Sequence, residues 1–377
     1  MTGSEICSKD KCSGCMACFN VCPKACISMT PGKLDHLYPE VNQDLCINCR
    51  MCQRVCPENN HLSLHYPLTA FAGWHSDREQ YLTSTSGGAA TAFAQTIIRR
   101  GGVVYGCASE PGLKFRHTRI ADLESLVRLK GSKYVQSDIG HIYSNVKQDL
   151  KSSLTVLFIG TPCQCAGLKS YLGKDYDNLY CVDLICHGVP SQKLLKKHLN
   201  KISSGKADYV TFRKGNDMAL RVFDKSGEKI YYSNVWNQRY RDVYYSAFID
   251  GYTYRDSCYS CGYARPERCS DVTIGDFWGL SNTVEHDSIN GCSCILPITE
   301  KGYKLVKESE LTLIERSVAE AVDGNSQLRH PSRKTRRVRV FQSLLSVFGA
   351  DCAYRLCELD RIFTLRIIKP IRRRLKV

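Results

Sequence analysis

CSGCMACFNVCP (residues 12–23) and CINCRMCQRVCP (residues 46–57) repeat one pattern, C-x2-C-x2-C-x3-C-P, near the amino terminus. In this spacing the first three thiolates converge on one iron-sulfur cluster, while the fourth cysteine, which precedes a proline, ligates the other cluster. The repeat therefore predicts two [4Fe-4S] clusters with crossed ligation. The first would be held by Cys12, Cys15, Cys18 and Cys56, and the second by Cys46, Cys49, Cys52 and Cys22.

Structural zinc is the alternative, because zinc also takes four thiolates. Zinc sites usually combine two separated C-x2-C pairs, whereas each half of this repeat is a triplet, so the spacing favours iron-sulfur clusters. Segments 27–29 and 38–41 are expected to pair as short strands between the loops, and residues 1–66 resemble a bacterial two-cluster ferredoxin domain. Two further cysteines, Cys7 and Cys26, lie outside the repeat, and we expect neither to be a ligand.

The composition is that of a globular chain with an unusual number of thiols. It has 377 residues, of which 43% are hydrophobic and 22 are cysteines. Roughly 310 residues follow the first domain, enough for one large or two ordinary domains. Charged residues precede any apolar run at the amino terminus, so we expect no signal peptide and interpret the cysteines as reduced ligands in a cytoplasmic protein.

The basic excess is concentrated in the carboxyl-terminal tail. Residues 329–377 contain 14 Lys and Arg against 3 Asp and Glu, which accounts for +11 of the net charge of +15. Segments 333–339, 340–348 and 362–374 are basic or apolar, and contact with anionic lipid at the inner membrane face, contact with an acidic partner, and simple solvation all remain open. We do not expect nucleic acid as a partner, because no base-reading motif accompanies the charge.

Strands and helices alternate from residue 67 to about residue 200, which predicts an α/β region. A hydroxyl- and glycine-rich turn at 83–88 opens a helix, where free backbone amides can bind a phosphate; a plain N-cap is the alternative. The Lys-Gly-Ser-Lys turn at 130–133 is a second candidate for anion contact. Cys163 and Cys186 follow two expected strands, 154–160 and 179–185, at the carboxyl edge where ligands gather, although buried free thiols would also explain them.

Residues 207–252 change character, and segments between 210 and 254 are expected to form antiparallel strands and turns. A C-x2-C pair follows at Cys258 and Cys261. A zinc knuckle would need a second such pair nearby, and Cys292 and Cys294 are spaced C-x-C. A third iron-sulfur cluster assembled from separate loops is therefore the favoured interpretation.

Four phrases carry a resemblance to a known family. In chain order they are LKGSKYVQSD (129–138), FIGTPCQCAGL (158–168), DLICHGVPS (183–191) and CYSCGYARPERCSDVTIGDFWG (258–279). Together they resemble the coenzyme F420 hydrogenase/dehydrogenase beta-subunit family, and TSTSGGAATAF (83–93) is similar to the glycine turn near the start of that family. The resemblance covers roughly residues 70–320.

The resemblance implies FAD bound beside a third [4Fe-4S] cluster. It implies that FAD is contacted by Ser86, Gly87, Gly88, Thr91, Lys130, Gly131, Ser132 and Lys133. It implies that the proximal cluster is held by Cys163, Cys186, Cys258 and Cys261, with Cys269 as a further candidate. His187 is a candidate proton donor, and a hydrogen-bonded loop histidine is its alternative.

The expected fold is a multidomain α+β or α/β chain, with a ferredoxin-type domain ahead of a mixed α/β flavin-binding region. The expected divisions are 1–66, 67–152 with the character of the family's N-terminal region, 153–325 with the proximal cluster, and a basic tail at 326–377. The expected function is oxidation or reduction of a two-electron organic substrate, F420-like or other, by a flavin- and iron-sulfur-dependent enzyme that exchanges electrons with a ferredoxin-type protein partner. The alternative is a non-catalytic electron-transfer subunit that feeds a partner enzyme.

Overall fold

The computed structural model describes residues 5–237, 241–280 and 290–363, and it confirms the mixed α/β fold class. The strands in these ranges are β1 (Ile27–Pro31), β2 (Leu37–Val41), β3 (Ala70–His75), β4 (Val103–Glu110), β5 (Lys114–Ile120), β6 (Val156–Gly160), β7 (Leu179–Leu184), β8 (Tyr209–Thr211), β9 (Ala219–Phe223), β10 (Lys229–Asn234), β11 (Val272–Asp276), β12 (Ser293–Pro297) and β13 (Leu311–Arg316). The helices are α1 (Ala17–Val21), α2 (Met51–Arg54), α3 (Arg78–Thr83), α4 (Ala89–Arg99), α5 (Ile142–Lys151), α6 (Pro162–Leu172), α7 (Gln192–Ile202), α8 (Val243–Ile249), α9 (Glu300–Glu308), α10 (Val318–Gly324), α11 (Arg336–Cys357) and α12 (Leu359–Phe363). Within the same ranges, none of these helices has the length and hydropathy of a membrane-spanning segment.

A mixed eight-stranded sheet forms the centre of the molecule, in the order β13-β3-β12-β11-β7-β6-β4-β5. Strands β11, β7, β6 and β4 run parallel, and antiparallel neighbours flank them on both sides. The carboxyl ends of the parallel strands therefore meet at one edge, where open α/β sheets bind their ligands. The segments expected as separate regions, 67–152 and 153–325, both contribute strands to this sheet, and the boundary between them stays a prediction.

Alternating residues of the parallel strands pack against helices on the two faces of the sheet. Leu157 of β6 belongs to the apolar cluster that includes Phe93 and Ile97 of α4. Its neighbours Val156 and Phe158 point the other way, into a cluster with α5 and α6. Such double burial explains why the strands are continuous hydrophobic runs in the sequence.

The ferredoxin-type domain belongs to this second core. The hairpin β1–β2 pairs Ile27 with Val41, as expected from the sequence. Ala17 of α1 and Val55 after α2 lie in the same buried cluster as Tyr143 of α5. The iron-sulfur loops are thus fixed against the sheet domain by apolar packing, which removes the freedom that a flexible linker would give.

One segment differs from the sequence prediction. Residues 240–254 were expected to form strands and turns because aromatic residues favour strands, but α8 occupies Val243–Ile249. Asp242 caps this helix by accepting a hydrogen bond from the Tyr245 backbone amide, and its aromatic residues are buried. The burial of these aromatic side chains in a helix has therefore outweighed their intrinsic preference for strands.

The start of the basic tail is ordered by packing. Phe341 and Tyr354 of α11 are fully buried, and both rings pack edge-on against Tyr252. The helix is interrupted at Gly349, whose φ of 70° lies outside the helical region. Residues 364–374, the distal part of the basic segment 362–374, lie outside the described residues, so contact of this segment with lipid, with an acidic partner or with solvent alone stays open.

A buried histidine joins α7 to the two elements that cover it. The Nε2 atom of His198 lies 2.8 Å from a carboxylate oxygen of Asp242, and Nδ1 lies 3.8 Å from Asp351 of α11. Desolvation opposes protonation, but these two carboxylates outweigh it and raise the pKa of His198 from 6.5 to about 9. The charged form therefore stabilises the fold below pH 6.5, and this contribution disappears as the pH rises through 9.

We expect the stabilisation by His198 to amount to about 3 kcal/mol below pH 6.5. The midpoint of thermal unfolding of the unsubstituted protein should therefore fall between pH 6.5 and 9.5 more steeply than that of His198→Gln. His330→Gln, which changes an exposed histidine, is the control and should retain the steep fall. Parallel pH profiles for the His198→Gln and unsubstituted proteins would contradict the assignment.

Candidate functional site

The two cysteine loops share one backbone conformation. Gly14 and Met16 of the first loop have left-handed φ angles of 68° and 64°, and the equivalent Asn48 and Arg50 of the second have 53° and 57°. Each loop then runs into a short helix that carries its third cysteine. The repeat in sequence is thus a repeat in structure.

Each predicted set of four ligands lines its own small cavity. Cys12, Cys15, Cys18 and Cys56 are buried around one cavity, called site I below. The half-buried thiols of Cys22, Cys46, Cys49 and Cys52 surround the other, called site II. Each site takes its fourth cysteine from the opposite repeat, which is the grouping that the crossed pairing predicts.

The spacing of the thiols bears on which metal they could hold. In the described ranges, no three His, Cys, Asp or Glu side chains are placed to hold a single metal ion. Each donor set consists of four thiols, three of them from one loop at steps of three residues, which is the arrangement of [4Fe-4S] ligation; zinc sites usually combine two separated C-x2-C pairs.

A third group of thiols comes from three separate loops. Cys163 lies in the first turn of α6, which Thr161 and Gln164 fix in a capping box. Cys186 follows β7, and Cys258 and Cys261 lie in and just after the 3-10 turn Asp256–Ser260. These four residues are called the proximal thiols below.

The proximal thiols interact electrostatically with one another. Burial raises the pKa of Cys163 to about 11 and that of Cys258 to about 12. The nearby Cys261 thiol raises both pKa values further, because like charges repel. Burial and then the other three proximal thiols raise the pKa of Cys186 as well. Four adjacent thiolates need a positively charged partner, which an iron cluster would supply.

Cys269 lies apart from this group. Its buried thiol is next to Cys181 and Asp183, and its backbone carbonyl accepts a hydrogen bond from Lys169 Nζ at 2.9 Å. Burial raises the pKa of Cys269 to about 12, and the neighbouring carboxylate acts in the same direction. Ligation of the proximal cluster by Cys269 stays a prediction.

A cavity of about 330 Å³ opens at the carboxyl ends of β6, β7 and β11. This volume is at the lower end of the range for cofactor sites, about 300–1,000 Å³. The predicted cofactor residues that line it are Ser86, Gly88, Thr91, Lys130, Gly131, Ser132 and Lys133. Cys186 and His187 line it too, so the cavity borders the proximal thiols.

The start of α4 forms one end of the cavity. Ser86 and Gly88 have left-handed φ angles of 57° and 82°, which turn the chain into the helix, and no acidic residue occupies its first turn. The free amides and the helix dipole at such a start attract an anion. Gly87 lies behind this wall, where a Cβ atom would come within 2.1 Å of the Gly73 carbonyl oxygen. Its role is therefore close backbone packing.

Two lysines face the same end of the cavity. Lys130 Nζ donates to Gln80 at 2.8 Å and to Thr83 at 2.7 Å, and burial lowers its pKa. Lys133 Nζ donates to the carbonyls of Leu129 and Lys130, and burial lowers the pKa of Lys133 to about 8. Both ammonium groups are thus held in place by hydrogen bonds to acceptors of the protein itself.

Three further polar side chains line the cavity. His187 is exposed at the rim; packing around its ring lowers its pKa, and the Asp276 carboxylate opposes this shift. Asp276 is held by Arg213 at 2.6 Å. His117, which sequence reasoning missed, is buried and contacts the Ile159 carbonyl and the Ser137 hydroxyl. Burial lowers the pKa of His117 to about 4, so its ring is neutral at pH 7.

Sequence reasoning also missed Arg255, which connects site I to the proximal thiols. Its buried guanidinium donates to the carbonyls of Cys12 at 2.5 Å and Leu37 at 2.6 Å, and lies 4.2 Å from the centroid of the Tyr38 ring. The same residue begins the segment that leads into Cys258. A lone arginine before a C-x2-C pair gives no signal in a sequence.

A second contact joins site I to α6. A Cβ atom built on Gly167 would come within 2.8 Å of Cys15 Cβ and 3.0 Å of Cys15 Sγ. Because α6 also carries Cys163, the helix connects site I with the proximal thiols. The three thiol groups and the cavity therefore form a continuous series.

Two stretches of the chain match known protein families. Residues 154–320 match the family described as the C-terminal part of the beta subunit of coenzyme F420 hydrogenase/dehydrogenase, and residues 11–60 match the 4Fe-4S dicluster domain. Among solved structures, a xenon-derivatised F420-reducing [NiFe] hydrogenase complex from Methanosarcina barkeri is similar, with 17% identity and a TM-score of 0.44 over 70% of this chain and 91% of that chain. None of the curated proteins matches.

Proposed function

Because residues 154–320 match the C-terminal part of the coenzyme F420 hydrogenase/dehydrogenase beta subunit and residues 11–60 match the 4Fe-4S dicluster domain, we propose that this chain is an iron-sulfur flavoprotein oxidoreductase related to that family. It passes electrons between a two-electron organic carrier and a one-electron protein partner. Its cofactors are FAD and three [4Fe-4S] clusters.

One observation carries the proposal. A single cavity is lined at one end by the anion-binding turn around Gly88 and elsewhere by Cys186, one of the proximal thiols. Electron transfer between clusters alone does not require a cavity of cofactor size beside a cluster site. FAD, when bound, exchanges electrons in pairs with an organic carrier and singly with an iron-sulfur cluster.

The residues around the cavity have distinct roles in this proposal. The amides at the start of α4 and the ammonium groups of Lys130 and Lys133 bind the diphosphate. Leu129, Ile159 and Ile274 provide apolar walls that exclude water from the ring system. His187 at the rim holds a proton on its imidazole for the organic substrate, and the Arg213–Asp276 ion pair fixes the wall at the end of β11.

The thiol groups carry the metal chemistry in this proposal. Site I and site II hold the two clusters of the ferredoxin-type domain, and the proximal thiols hold the third. Site I is buried against α6, whereas site II is half-exposed and flanked by Leu45 and Ile47, whose side chains are exposed. We place the protein partner at site II for that reason. A deazaflavin of the F420 type is the first organic carrier to test.

Replacing Lys130 with methionine tests the cofactor site. A charge-assisted hydrogen bond to phosphate contributes about 1.5–3 kcal/mol, so the dissociation constant for FAD should rise about 10- to 100-fold. The measurement is a fluorescence titration of flavin-depleted, anaerobic protein with FAD. Lys151→Met, which changes an exposed lysine at the end of α5, is the control and should bind FAD like the unsubstituted protein.

Riboflavin provides a second check, because it has the ring system of FAD without the diphosphate. We expect Lys130→Met to leave riboflavin binding nearly unchanged. If the unsubstituted protein binds no FAD, the flavoprotein proposal fails. If Lys130→Met binds FAD as tightly as the unsubstituted protein, the diphosphate does not lie at Lys130.

A further inference from the structure

Each cluster site contains a fifth thiol that the cysteine repeat does not supply. Cys26 lines the cavity of site II and its Sγ atom lies 3.3 Å from that of Cys22. Cys46 lines the same cavity. Cys7 lines the cavity of site I together with Cys12 and Cys56.

The two extra thiols occupy equivalent places. In both sites the extra thiol lines the cavity together with the first cysteine of one repeat and the fourth cysteine of the other. Yet the internal repeat does not relate Cys7 to Cys26. Cys26 follows the fourth cysteine of its repeat by four positions, where the other repeat has Asn60, and Cys7 precedes the first by five, where the other has Val41. Two unrelated sequence positions thus deliver a thiol to the same pair of ligands.

The surroundings suit a thiol that is held in place but uncoordinated. Cys26 is 5% exposed and lies just before β1, whose pairing with β2 fixes its backbone. The Asn42 amide donates to the Cys26 carbonyl at 2.7 Å. Cys7 is half-buried beside Ile6, which belongs to the core shared with α5 and α6. Because Cys26 Sγ lies 3.3 Å from Cys22 Sγ and Cys7 lines the same cavity as Cys12 and Cys56, neither thiol needs a large backbone movement to replace a ligand of its site.

We propose that Cys26 and Cys7 are reserve ligands, Cys26 for the Cys22 or Cys46 position of site II and Cys7 for the Cys12 or Cys56 position of site I. In the exchange, one iron–sulfur bond to the departing cysteine breaks and one bond to the reserve cysteine forms. The proton of the reserve thiol passes to the departing thiolate, and no electron is gained or lost. The inference rests on the cluster-binding part of the proposed function.

Alanine variants at site II test the exchange. In Cys22→Ala, Cys26 should take the vacant position, so anaerobic protein should keep the iron and sulfide content of the unsubstituted chain. The double variant Cys22→Ala/Cys26→Ala should lose roughly the iron of one cluster. Cys49→Ala, which removes another ligand of the same site, is the matched control and should lose as much. Electron paramagnetic resonance of the reduced proteins identifies which cluster is missing.

Site I gives an independent test with the same logic. Cys56→Ala should keep its cluster while Cys7 is present and lose it in Cys7→Ala/Cys56→Ala, and Cys15→Ala is the control. The proposal is overturned for a site if its single variant loses as much iron as the control. It is equally overturned if the double variant retains the cluster, because the reserve thiol is then not the ligand.

Cys26→Ala, which keeps all the predicted ligands, tests the proposal even if the variants that lack a ligand do not accumulate as folded protein. Cys26→Ala alone should contain full iron, because Cys26 ligates nothing in the undisturbed site. It should release iron to a chelator under anaerobic conditions several-fold faster than the unsubstituted protein, since a dissociated Cys22 is no longer replaced. Equal release rates, or low iron in Cys26→Ala before the chelator is added, would overturn the proposal. Failure to bind FAD contradicts the flavoprotein proposal alone, because these tests measure only cluster iron.

Discussion

Arg255→Ala is expected to unfold roughly 5–10 °C below the unsubstituted protein and to lose iron from site I. The change removes a buried cation that donates to the carbonyls of Cys12 and Leu37 and contacts the Gln136 side chain at 3.3 Å. Each buried carbonyl that is left without a donor lowers the free energy of unfolding by about 1–3 kcal/mol. The total loss of stability should therefore be on the order of 4 kcal/mol. The measurement is thermal unfolding under anaerobic conditions, with iron determined before heating.

Arg265→Ala is the matched control for Arg255→Ala. Arg265 lies in the loop after Cys261, but its side chain is 55% exposed and its partner Glu267 lies 3.4 Å away at the surface. Exposed ion pairs contribute at most about 1 kcal/mol, so this variant should unfold close to the unsubstituted protein. Arg255→Lys separates charge from geometry, because a lysine retains the charge but cannot donate to both carbonyls as the guanidinium fork does. Arg255→Ala protein with unchanged iron and unfolding temperature would contradict the bridging role.

Gly167→Val is expected to separate α6 from site I. The first side-chain carbon would lie 2.8 Å from Cys15 Cβ and 2.9 Å from the Tyr143 hydroxyl, so the loop or the helix must move. Overpacking of this kind typically costs about 1–3 kcal/mol, and here the displaced atom belongs to a predicted cluster ligand. We expect the iron content to fall by about one cluster, as measured by iron and sulfide analysis of anaerobic protein.

Gly262→Ala provides the control for Gly167→Val. A Cβ atom at Gly262 would meet no atom within 4 Å, although the residue adjoins Cys261 of the proximal thiols. This variant should keep full iron and the unfolding temperature of the unsubstituted protein. If Gly167→Val also keeps both, site I does not depend on its contact with α6.

The features found from the sequence are those with a local or periodic signature. The cysteine spacing predicted which thiols would gather at sites I and II, because three cysteines at steps of three residues define a loop wherever they occur. The strands that end before Cys163 and Cys186 were visible as apolar runs, so their shared edge followed from the parallel sheet. The glycine turn at Gly88 and the lysines at 130 and 133 were expected at one site only through the resemblance to the beta-subunit family.

The features missed from the sequence depend on tertiary contact. Arg255 and Gly167 matter because of atoms brought to them from residue 12 or 15, and neither has a local signature. The α8 helix was predicted as strands because its tyrosines favour strands, whereas its burial decides the outcome. Cys7 and Cys26 were dismissed because they fall outside the repeat, yet folding places both against cluster ligands.

The measurement that tests the account most directly is the iron, sulfide and flavin content of protein purified without oxygen. The account predicts three [4Fe-4S] clusters and one FAD per chain, with flavin that becomes reduced when a two-electron donor such as reduced F420 or NAD(P)H is added and with clusters that are then reduced in turn. Protein that holds zinc in place of iron, or that binds no flavin after reconstitution, would contradict it.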